Sequence, residues 1–268
     1  MSVNWALIGH TGFVGSNLAS QRQFAFCYNS QNFRDIARCP ADFAVCCGVR
    51  AEKWKANQNP VEDMHNIMLL FRQLRELRCR RIYLISTVDV YSPATQQRRP
   101  DETVDPLTGD NEPYGFNRAC LEEMCRHIPS PVAVIRLPAL YGPGLKKNAL
   151  FDLLHGRDEF IAKIHPHDMY QWWDVRFAHT AIELVHPLPE VTTLNIAPLP
   201  VPMQKIVERF FPDKLPLLGQ DVGDRPPRFY DTLTRYGMMW HCGNGYTLKE
   251  EPVLDAIGNW LREARACV

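Results

Sequence analysis

The sequence predicts an α/β protein with a doubly wound parallel sheet and a small C-terminal α/β region. Three observations predict this class. An apolar run of strand type, Trp5 to Ile8, leads at once into a glycine-rich turn and then into a helical pattern. Further short apolar runs alternate with segments of helical periodicity along the chain. The length of 268 residues suits one large α/β domain or a larger domain with a smaller partner.

Three glycines follow the first strand at intervals of three residues: Gly9, Gly12 and Gly15. Gly9 allows a sharp exit from the strand, and Gly12 removes a Cβ that would keep a diphosphate from the backbone amides. Gly15 lets the next helix pack close to the sheet, and the N-terminus of that helix attracts anions. The turn predicts the diphosphate site of a Rossmann fold; an ordinary βα turn that binds nothing is the alternative. The candidate residues are Gly9, Thr11, Gly12, Phe13, Val14 and Gly15.

The composition restricts the class of partner. Hydrophobic residues make up 46% and charged residues 22%, which is ordinary for a globular protein. Thirty basic and thirty acidic side chains give zero formal charge, which argues against a general surface for nucleic acid or anionic membrane. We find no apolar run long enough for a membrane span and no pattern of a secretory signal. We therefore expect a small-molecule substrate, with neither nucleic acid nor membrane as partner.

The cysteines predict a reducing environment. There are nine of them, an odd number, without a pairing framework. Cys120 and Cys125 lack the spacing of a zinc site, and His165 with His167 lacks further ligands nearby. We expect a cytoplasmic protein with free thiols and without a metal site.

The second strand, predicted at Phe24 to Tyr28, bears on the choice of nucleotide. An acidic residue after this strand would bond the adenosine ribose of NAD. The sequence has Asn29 and Ser30 there, and Arg34 follows. The missing carboxylate and the nearby arginine slightly favour NADP over NAD, whereas a merely solvated Arg34 is the alternative.

Further elements follow in the same alternating order. Strands are predicted at 41–46, 82–85, 131–137 and 193–197, and helices at 13–22, 62–77, 177–185, 202–211 and 253–264. The stretch from Ser92 to Asn111 is polar and contains three prolines, which predicts a loop. Pro113 suits the first turn of one more helix. Tyr114 and Arg118 lie four residues apart in it, so they share one helical face.

Four segments resemble the short-chain dehydrogenase/reductase superfamily, in particular its extended, nucleotide-sugar-modifying branch. The segment Thr11–Gly15 is similar to its T-G-x-x-G-x-x-G/A fingerprint, and Thr87–Tyr91 resembles S-S/T-x-x-V-Y. Residues 114–118 resemble Y-x-x-x-K, and residues 136–143 resemble R-x-x-x-x-Y-G-P. The segments occur in the family's order and cover roughly residues 1–145. The chain is thus identified as similar to NAD-dependent epimerases and dehydratases.

The resemblance implies roles for three residues. Thr87 takes the position of the hydroxyl that hydrogen-bonds the substrate oxygen, and Tyr114 that of the residue exchanging the proton. Arg118 stands where the family has the lysine that holds the nicotinamide ribose and lowers the pKa of the tyrosine. An arginine keeps the charge, but its planar fork is longer and differently directed.

The resemblance also implies further contacts to the cofactor. Cys47 and Gly48 fall on the small-residue turn beneath its diphosphate and ribose, and Pro138 falls beside the nicotinamide carboxamide. Sugar 4,6-dehydratases carry Asp and then Glu after the catalytic hydroxyl residue. Here these positions are Val88 and Asp89, which argues against that reaction.

The expected activity is that of an NAD(P)-dependent oxidoreductase or epimerase acting on a sugar, most simply a nucleotide-linked 4-keto-sugar. The short chain favours a reductase. The alternative is a catalytically weak or inactive dinucleotide-binding protein, a redox sensor or scaffold, because Arg118 replaces the lysine.

The resemblance also suggests a domain organisation. Residues 1–145 are expected to form the Rossmann domain, completed by parts of 170–200, and residues 146–268 mainly the substrate-binding region. Trp172 and Trp173 are expected either to stack on a sugar or base, or to belong to the core. The helices at 62–77 and 113–127 are the candidates for a homodimer interface.

Overall fold

The structure, a computed structural model, describes residues 3–266. Its strands are β1 Trp5–Ile8, β2 Phe26–Tyr28, β3 Phe43–Cys46, β4 Arg81–Thr87, β5 Val132–Leu137, β6 Ala139–Tyr141, β7 Met169–Tyr170, β8 Trp172–Asp174, β9 Thr193–Asn195 and β10 Val201–Pro202. Its helices are α1 Phe13–Gln21, α2 Lys53–Gln58, α3 Pro60–Glu76, α4 Pro93–Gln96, α5 Pro113–Cys125, α6 Ala149–Leu154, α7 Asp158–Ile161, α8 Ala178–Val185, α9 Met203–Phe210 and α10 Glu250–Ala266. Short 3-10 helices lie at Phe33–Arg38, Val88–Val90, Val175–Phe177, Pro212–Leu217 and Gly237–Trp240.

The chain forms two units. The first comprises the residues up to Ser92, Glu102–Leu137 and Arg176–Asn195; the second comprises Pro93–Asp101, Pro138–Val175 and the residues from Ile196 onward. Residues 93–101 and 138–145, expected in the Rossmann domain, therefore belong to the second unit. Hydrogen bonds connect residues 93–101 to the rest of the second unit, because the Gln96 side chain accepts hydrogen bonds from the Asp231 amide and the Thr232 hydroxyl.

The first unit is built on a parallel sheet that has six strands among the described residues, in the order β2-β1-β3-β4-β5-β9. The chain moves outward from β1 first to β2 and then, on the other side, to β3. Such a reversal places a crevice at the carboxyl ends of the strands, where ligands of open α/β sheets bind. The predicted doubly wound α/β fold is confirmed.

Side-chain alternation on these strands produces the two faces of the sheet. On one face, Ala6, Ile8, Ala44, Cys46, Ile82 and Leu84 form a buried cluster with the stripe of α3. That stripe consists of Ile67, Leu70 and Leu74, as its 3.6-residue spacing predicts. On the other face Trp5 stacks on Phe43 at 4.9 Å and on Tyr83 at 5.6 Å between ring centroids.

The second unit has its own core, formed by α6, α9, α10 and the short strands. Strand β6 pairs with β8 in parallel, and β10 pairs with β7 antiparallel. Trp172 and Trp173 are each only 2% exposed, so both belong to the core and do not form a stacking wall for a ligand. Among the described helices, none is long and apolar enough to cross a membrane.

Candidate active site

The glycine turn after β1 packs against the ends of both neighbouring strands. Gly9 has a φ of +84°, which side chains disfavour, and its amide donates to the Tyr28 carbonyl at 2.7 Å. A Cβ on Gly9 would lie 2.5 Å from the Cys47 carbonyl oxygen, and one on Gly15 would lie 2.1 Å from the Gly9 carbonyl oxygen. Glycine is therefore required for the strand exit and for the close approach of α1.

The start of α1 suits an anion. Gly12 is the N-cap residue and provides no side-chain cap, and the first turn of the helix contains no acidic residue. Thr11 and Gly12 are exposed, and Phe13 and Val14 are half-buried. A helix N-terminus without a capping side chain presents its backbone N–H groups and partial positive charge to a ligand. The turn therefore fits the diphosphate of a dinucleotide.

The end of β2 carries polar side chains that bond within their own turn. The Asn29 side chain accepts the amide of Gln31 at 2.8 Å, and the Asn29 amide donates to the side chain of Asn32 at 2.8 Å. Ser30 is exposed, and so is Arg34 in the following 3-10 helix. The choice between NAD and NADP stays a prediction.

Thr87 is the last residue of β4, at the carboxyl edge of the sheet. Its hydroxyl donates to Asp89 Oδ2 at 3.1 Å and accepts the Asp89 amide at 3.1 Å, so it caps the 3-10 helix that follows. Thr87 is half-buried. The hydroxyl is thus positioned at the strand end, with its proton directed to a carboxylate.

Tyr114 lies in the first turn of α5, which begins close to this strand end. A Cβ on Gly115 would lie 1.9 Å from the Asp89 carbonyl oxygen, so only glycine permits this approach. The Tyr114 amide donates to Asn57 Oδ1 at 2.8 Å, which fixes the helix start. Burial raises the pKa of the Tyr114 phenol, the charge of Arg118 lowers it, Asp89 raises it, and Lys53 lowers it.

Arg118 is buried beside Tyr114 and is fully engaged at its terminal nitrogens. Its Nη1 donates to Asp63 at 2.6 Å and to the Tyr114 carbonyl at 3.0 Å. Its Nη2 donates to the Arg50 carbonyl and to Asp63 at 3.1 Å. The guanidinium carbon lies 3.7 Å from the centroid of the Tyr114 ring. All four terminal N–H groups of Arg118 therefore have protein acceptors. The bond from Arg118 to the nicotinamide ribose, expected from the sequence, stays a prediction.

The remaining predicted cofactor residues follow β3 and β5. Cys47 and Gly48 come directly after β3, and a Cβ on Gly48 would lie 3.1 Å from the Ile8 side chain. Burial raises the pKa of the Cys47 thiol well above its usual range, so this thiol is a poor nucleophile. Pro138 follows β5 directly and is buried; it is the first residue of its segment of the second unit.

Three polar side chains around Tyr114 and Arg118 are not revealed by any sequence motif. Asn57 and Lys53 lie on α2, a helix of six residues that the apolar pattern does not show. Asp63 lies in the first turn of α3, where its charge suits the helix dipole and gives no sign of its partner. Within the described residues, no group of three or more His, Cys, Asp or Glu side chains is arranged to hold a metal ion.

The sheet order and the glycine turn at its switch point define a Rossmann-type α/β protein. The family model described as "NAD dependent epimerase/dehydratase family" matches residues 29–174, more than half of the chain. The chain belongs to this family, which confirms the resemblance seen in the motifs. No curated protein matches the sequence significantly.

Solved structures share the fold over nearly the whole chain. UDP-glucose 4-epimerase from Thermotoga maritima, solved with UDP-glucose, is 13% identical and covers 98% of this chain and 99% of its own, with a TM-score of 0.67. RMD from Pseudomonas aeruginosa, complexed with NADPH, is 15% identical and covers 98% of this chain and 100% of its own, with a TM-score of 0.70. dTDP-4-dehydrorhamnose reductase from Bacillus anthracis, in complex with NADP, is 10% identical and covers 98% of this chain and 99% of its own, with a TM-score of 0.73.

Proposed function

We propose that the protein is an NAD(P)-dependent oxidoreductase or epimerase that acts on a nucleotide-linked sugar, with Tyr114 as its acid/base. One observation carries the proposal. Gly115 approaches the Asp89 carbonyl so closely that Tyr114 begins its helix beside the turn capped by Thr87. The strand end with the Thr87 hydroxyl and the helix start with the Tyr114 phenol thus meet at the edge of the sheet where ligands bind, and these two groups suit proton exchange with one substrate oxygen.

The glycine turn and the residues after β2 and β3 would hold the dinucleotide. Gly9 to Gly15 offer backbone amides to the diphosphate, and Cys47 and Gly48 form the adjoining turn. The nicotinamide, when bound, supplies or accepts a hydride. The absence of a carboxylate at Asn29 and Ser30, with Arg34 nearby, favours NADP.

Side chains of the protein transfer the proton and bind the substrate oxygen. Tyr114 gives its phenol proton to a substrate oxygen in reduction or takes one in oxidation. Thr87 donates a hydrogen bond to the same oxygen, for which its proton must turn away from Asp89. Arg118 acts on Tyr114 through its charge and its stacking on the ring.

The proposal includes both a reductase of 4-keto-sugars and an epimerase, because the similar structures include a dTDP-4-dehydrorhamnose reductase and a UDP-glucose 4-epimerase. An epimerase must keep its cofactor through both hydride transfers, whereas a reductase exchanges it. A dinucleotide retained through purification would therefore contradict the reductase and favour the epimerase.

A dinucleotide-binding protein without turnover is the second candidate. The observation that favours it is the engagement of Arg118 with Asp63, Arg50 and the Tyr114 carbonyl, which leaves no terminal N–H group for the ribose. Such a protein would bind NAD(P) and would not oxidise it with any sugar.

Turnover assays decide between the two candidates. We expect the purified protein to oxidise NADPH or NADH with UDP-, GDP- or dTDP-linked 4-keto-sugars, and Tyr114→Phe to lower kcat by about 10²–10⁴-fold. Thr87→Ser should keep most of the activity, whereas Thr87→Val should lose it, because only serine keeps the hydroxyl. Equal rates for the wild type and Tyr114→Phe would refute the catalytic assignment.

The cofactor preference has its own test. We expect NADP to bind more tightly than NAD, and Arg34→Ala to weaken the binding of NADP about tenfold while the affinity for NAD stays unchanged. Arg38→Ala, which removes another exposed arginine of the same 3-10 helix, is the matched control. Tighter binding of NAD by the wild type would overturn the preference.

A further inference from the structure

A lysine outside the family motif connects the two elements that carry Thr87 and Tyr114. Lys53 begins α2, and its Nζ lies 2.7 Å from Asp89 Oδ1 and 2.7 Å from Glu112 Oε2. Asp89 lies in the turn after β4, and Glu112 directly precedes α5. The lysine therefore joins the end of the catalytic strand to the start of the catalytic helix.

Asp89 links Lys53 to the Thr87 hydroxyl. One carboxylate oxygen of Asp89 pairs with the ammonium, and the other accepts the Thr87 hydroxyl proton at 3.1 Å. An uncompensated carboxylate would hold this proton strongly, because hydrogen bonds to charged acceptors are the stronger ones. By neutralising Asp89, Lys53 weakens that hold and leaves the hydroxyl able to turn to a substrate oxygen.

Lys53 also acts on the Tyr114 phenol. Burial and the charge of Asp89 raise the pKa of this phenol, and the positive charges of Arg118 and Lys53 lower it. Asp63 compensates the charge of Arg118 directly, in a two-point ion pair. Asp89 and Glu112 both pair with Lys53, so removing the ammonium would leave the effect of the Asp89 charge on the phenol uncompensated.

We propose that Lys53 is a positioning residue of the active site: a second cation, beside Arg118, that acts on the Tyr114 phenol and also on the Asp89 carboxylate. The proposal rests on the proposed function. Its geometric basis is that the same short helix holds both ends of the site: Asn57 of α2 binds the Tyr114 amide at 2.8 Å, and Lys53 binds Asp89. In the family motif, a lysine on the same helix lowers the pKa of the tyrosine. Here Lys53 lowers the pKa of Tyr114 from a different helix, and through Asp89 it also acts on the Thr87 hydroxyl.

The first test needs no cofactor and no substrate. The protein is labelled with tyrosine carrying ¹³C at Cζ, and the Tyr114 resonance is assigned by its loss in Tyr114→Phe. We expect Lys53→Met to raise the titration midpoint of Tyr114 by about one pH unit or more, since a nearby opposite charge shifts a pKa by about that much. Lys53→Arg should keep the wild-type midpoint, and Lys55→Met, on the same helix, should not change it. Identical titrations of wild type and Lys53→Met, including two that stay incomplete up to alkaline unfolding, would overturn the proposal.

The second test measures kinetics across pH. We expect Lys53→Met to lower kcat about three- to tenfold with KM for the nicotinamide cofactor within about twofold, and Lys53→Arg to restore kcat. The alkaline limb of the reduction profile should move to higher pH, because loss of the cation raises the pKa of the phenol that must stay protonated. A rise in KM alone, or a loss that arginine does not rescue, would contradict the proposal. A wild type that never oxidises NAD(P)H would refute the proposed function, whereas the titration of Tyr114 would still decide on Lys53.

Discussion

The first unit contains two clusters of the same three residue types, a tyrosine, an arginine and a carboxylate. The Arg118 cluster consists of Tyr114, Arg118 and Asp63, and the Arg136 cluster consists of Tyr91, Arg136 and Glu122. Helix α5 contributes to both, through Arg118 and Glu122 four residues apart. The helix is thus connected to α3 by one ion pair and to β5 by the other.

The clusters differ in what the arginine does to the tyrosine. Arg136 donates to the Tyr91 hydroxyl at 2.6 Å, and Asn195 donates to it at 3.2 Å, so this phenol is held in the core. Arg118 donates to the backbone carbonyl of Tyr114 and lies closer over its ring, at 3.7 Å from the centroid, compared with 4.9 Å for Arg136 over Tyr91. The same residue types thus occur in different surroundings. The helix start that carries Tyr114 approaches Asp89, which binds Lys53 and the Thr87 hydroxyl, whereas Tyr91 is held by Arg136 and Asn195.

The largest effect on stability is expected in the Arg136 cluster. Glu122→Gln leaves the Arg136 guanidinium, 1% exposed, without its anionic partner, and should lower the free energy of unfolding by about 3–5 kcal/mol. Urea unfolding measures this. Glu123→Gln, one residue further and 53% exposed, is the control and should cost less than about 0.5 kcal/mol. A loss as small as that of the control would mean that the buried pair does not hold α5 to β5.

A smaller loss is expected when the other pair is broken. Asp63 is 11% exposed and leaves Arg118 two backbone acceptors, so Asp63→Asn should cost about 2 kcal/mol in urea unfolding. The uncompensated guanidinium should also lower the pKa of Tyr114, which the ¹³C titration measures. Glu62→Gln, an exposed neighbour in the same helical turn, serves as the control. An unchanged or raised pKa would show that Asp63 does not moderate Arg118.

The two tyrosines should separate stability from activity. Tyr91→Phe removes the hydroxyl that Arg136 and Asn195 bind and should cost about 1–2 kcal/mol of stability, with turnover within about twofold of the wild type. Tyr114→Phe should leave the free energy of unfolding nearly unchanged and should lose turnover. Unfolding curves and NAD(P)H oxidation rates of both variants check this. Loss of turnover in Tyr91→Phe without a loss of stability would break the distinction between the clusters.

The smallest effect appears at alkaline pH. Burial raises the pKa of Tyr91 to about 12, whereas an unfolded tyrosine titrates near ~10. The folded state then binds more protons, so this contribution to stability is complete below about pH 10 and is lost between about pH 10 and pH 12. At about pH 11 the loss amounts to roughly 1 kcal/mol. The stability of Tyr91→Phe should therefore decrease less between pH 9 and pH 11; an equal decrease would contradict the assignment.

Local pattern was sufficient for most of the first unit. Strand β1 and helix α3 were predictable because their apolar residues recur at the periods of a strand and a helix. The stretch from Ser92 to Asn111 was expected to be a loop throughout, yet it contains α4 with Gln96 buried. A polar side chain is buried there because Asp231 and Thr232 bond it, about 135 residues along the chain, and no local pattern reveals such partners.

The site was predictable only in part, for a similar reason. Thr87 and Tyr114 follow from motifs at a strand end and a helix start, although their catalytic roles stay predictions. Arg118 could not be assigned its partner from sequence, since Asp63 is 55 residues away and carries the ordinary acidic signature of a helix N-terminus. Lys53 belongs to no motif. The predicted homodimer likewise stays a prediction.

The hydrogen bond from the Tyr114 amide to Asn57 provides a measure of the contact between α2 and α5. This amide lies in the first turn of α5, where a helix offers it no internal acceptor, so its protection from hydrogen exchange depends on α2. Detachment of α2 would release Asn57 and Lys53 together. The exchange rate of this one backbone hydrogen therefore measures how often the start of α5 loses its contact with α2.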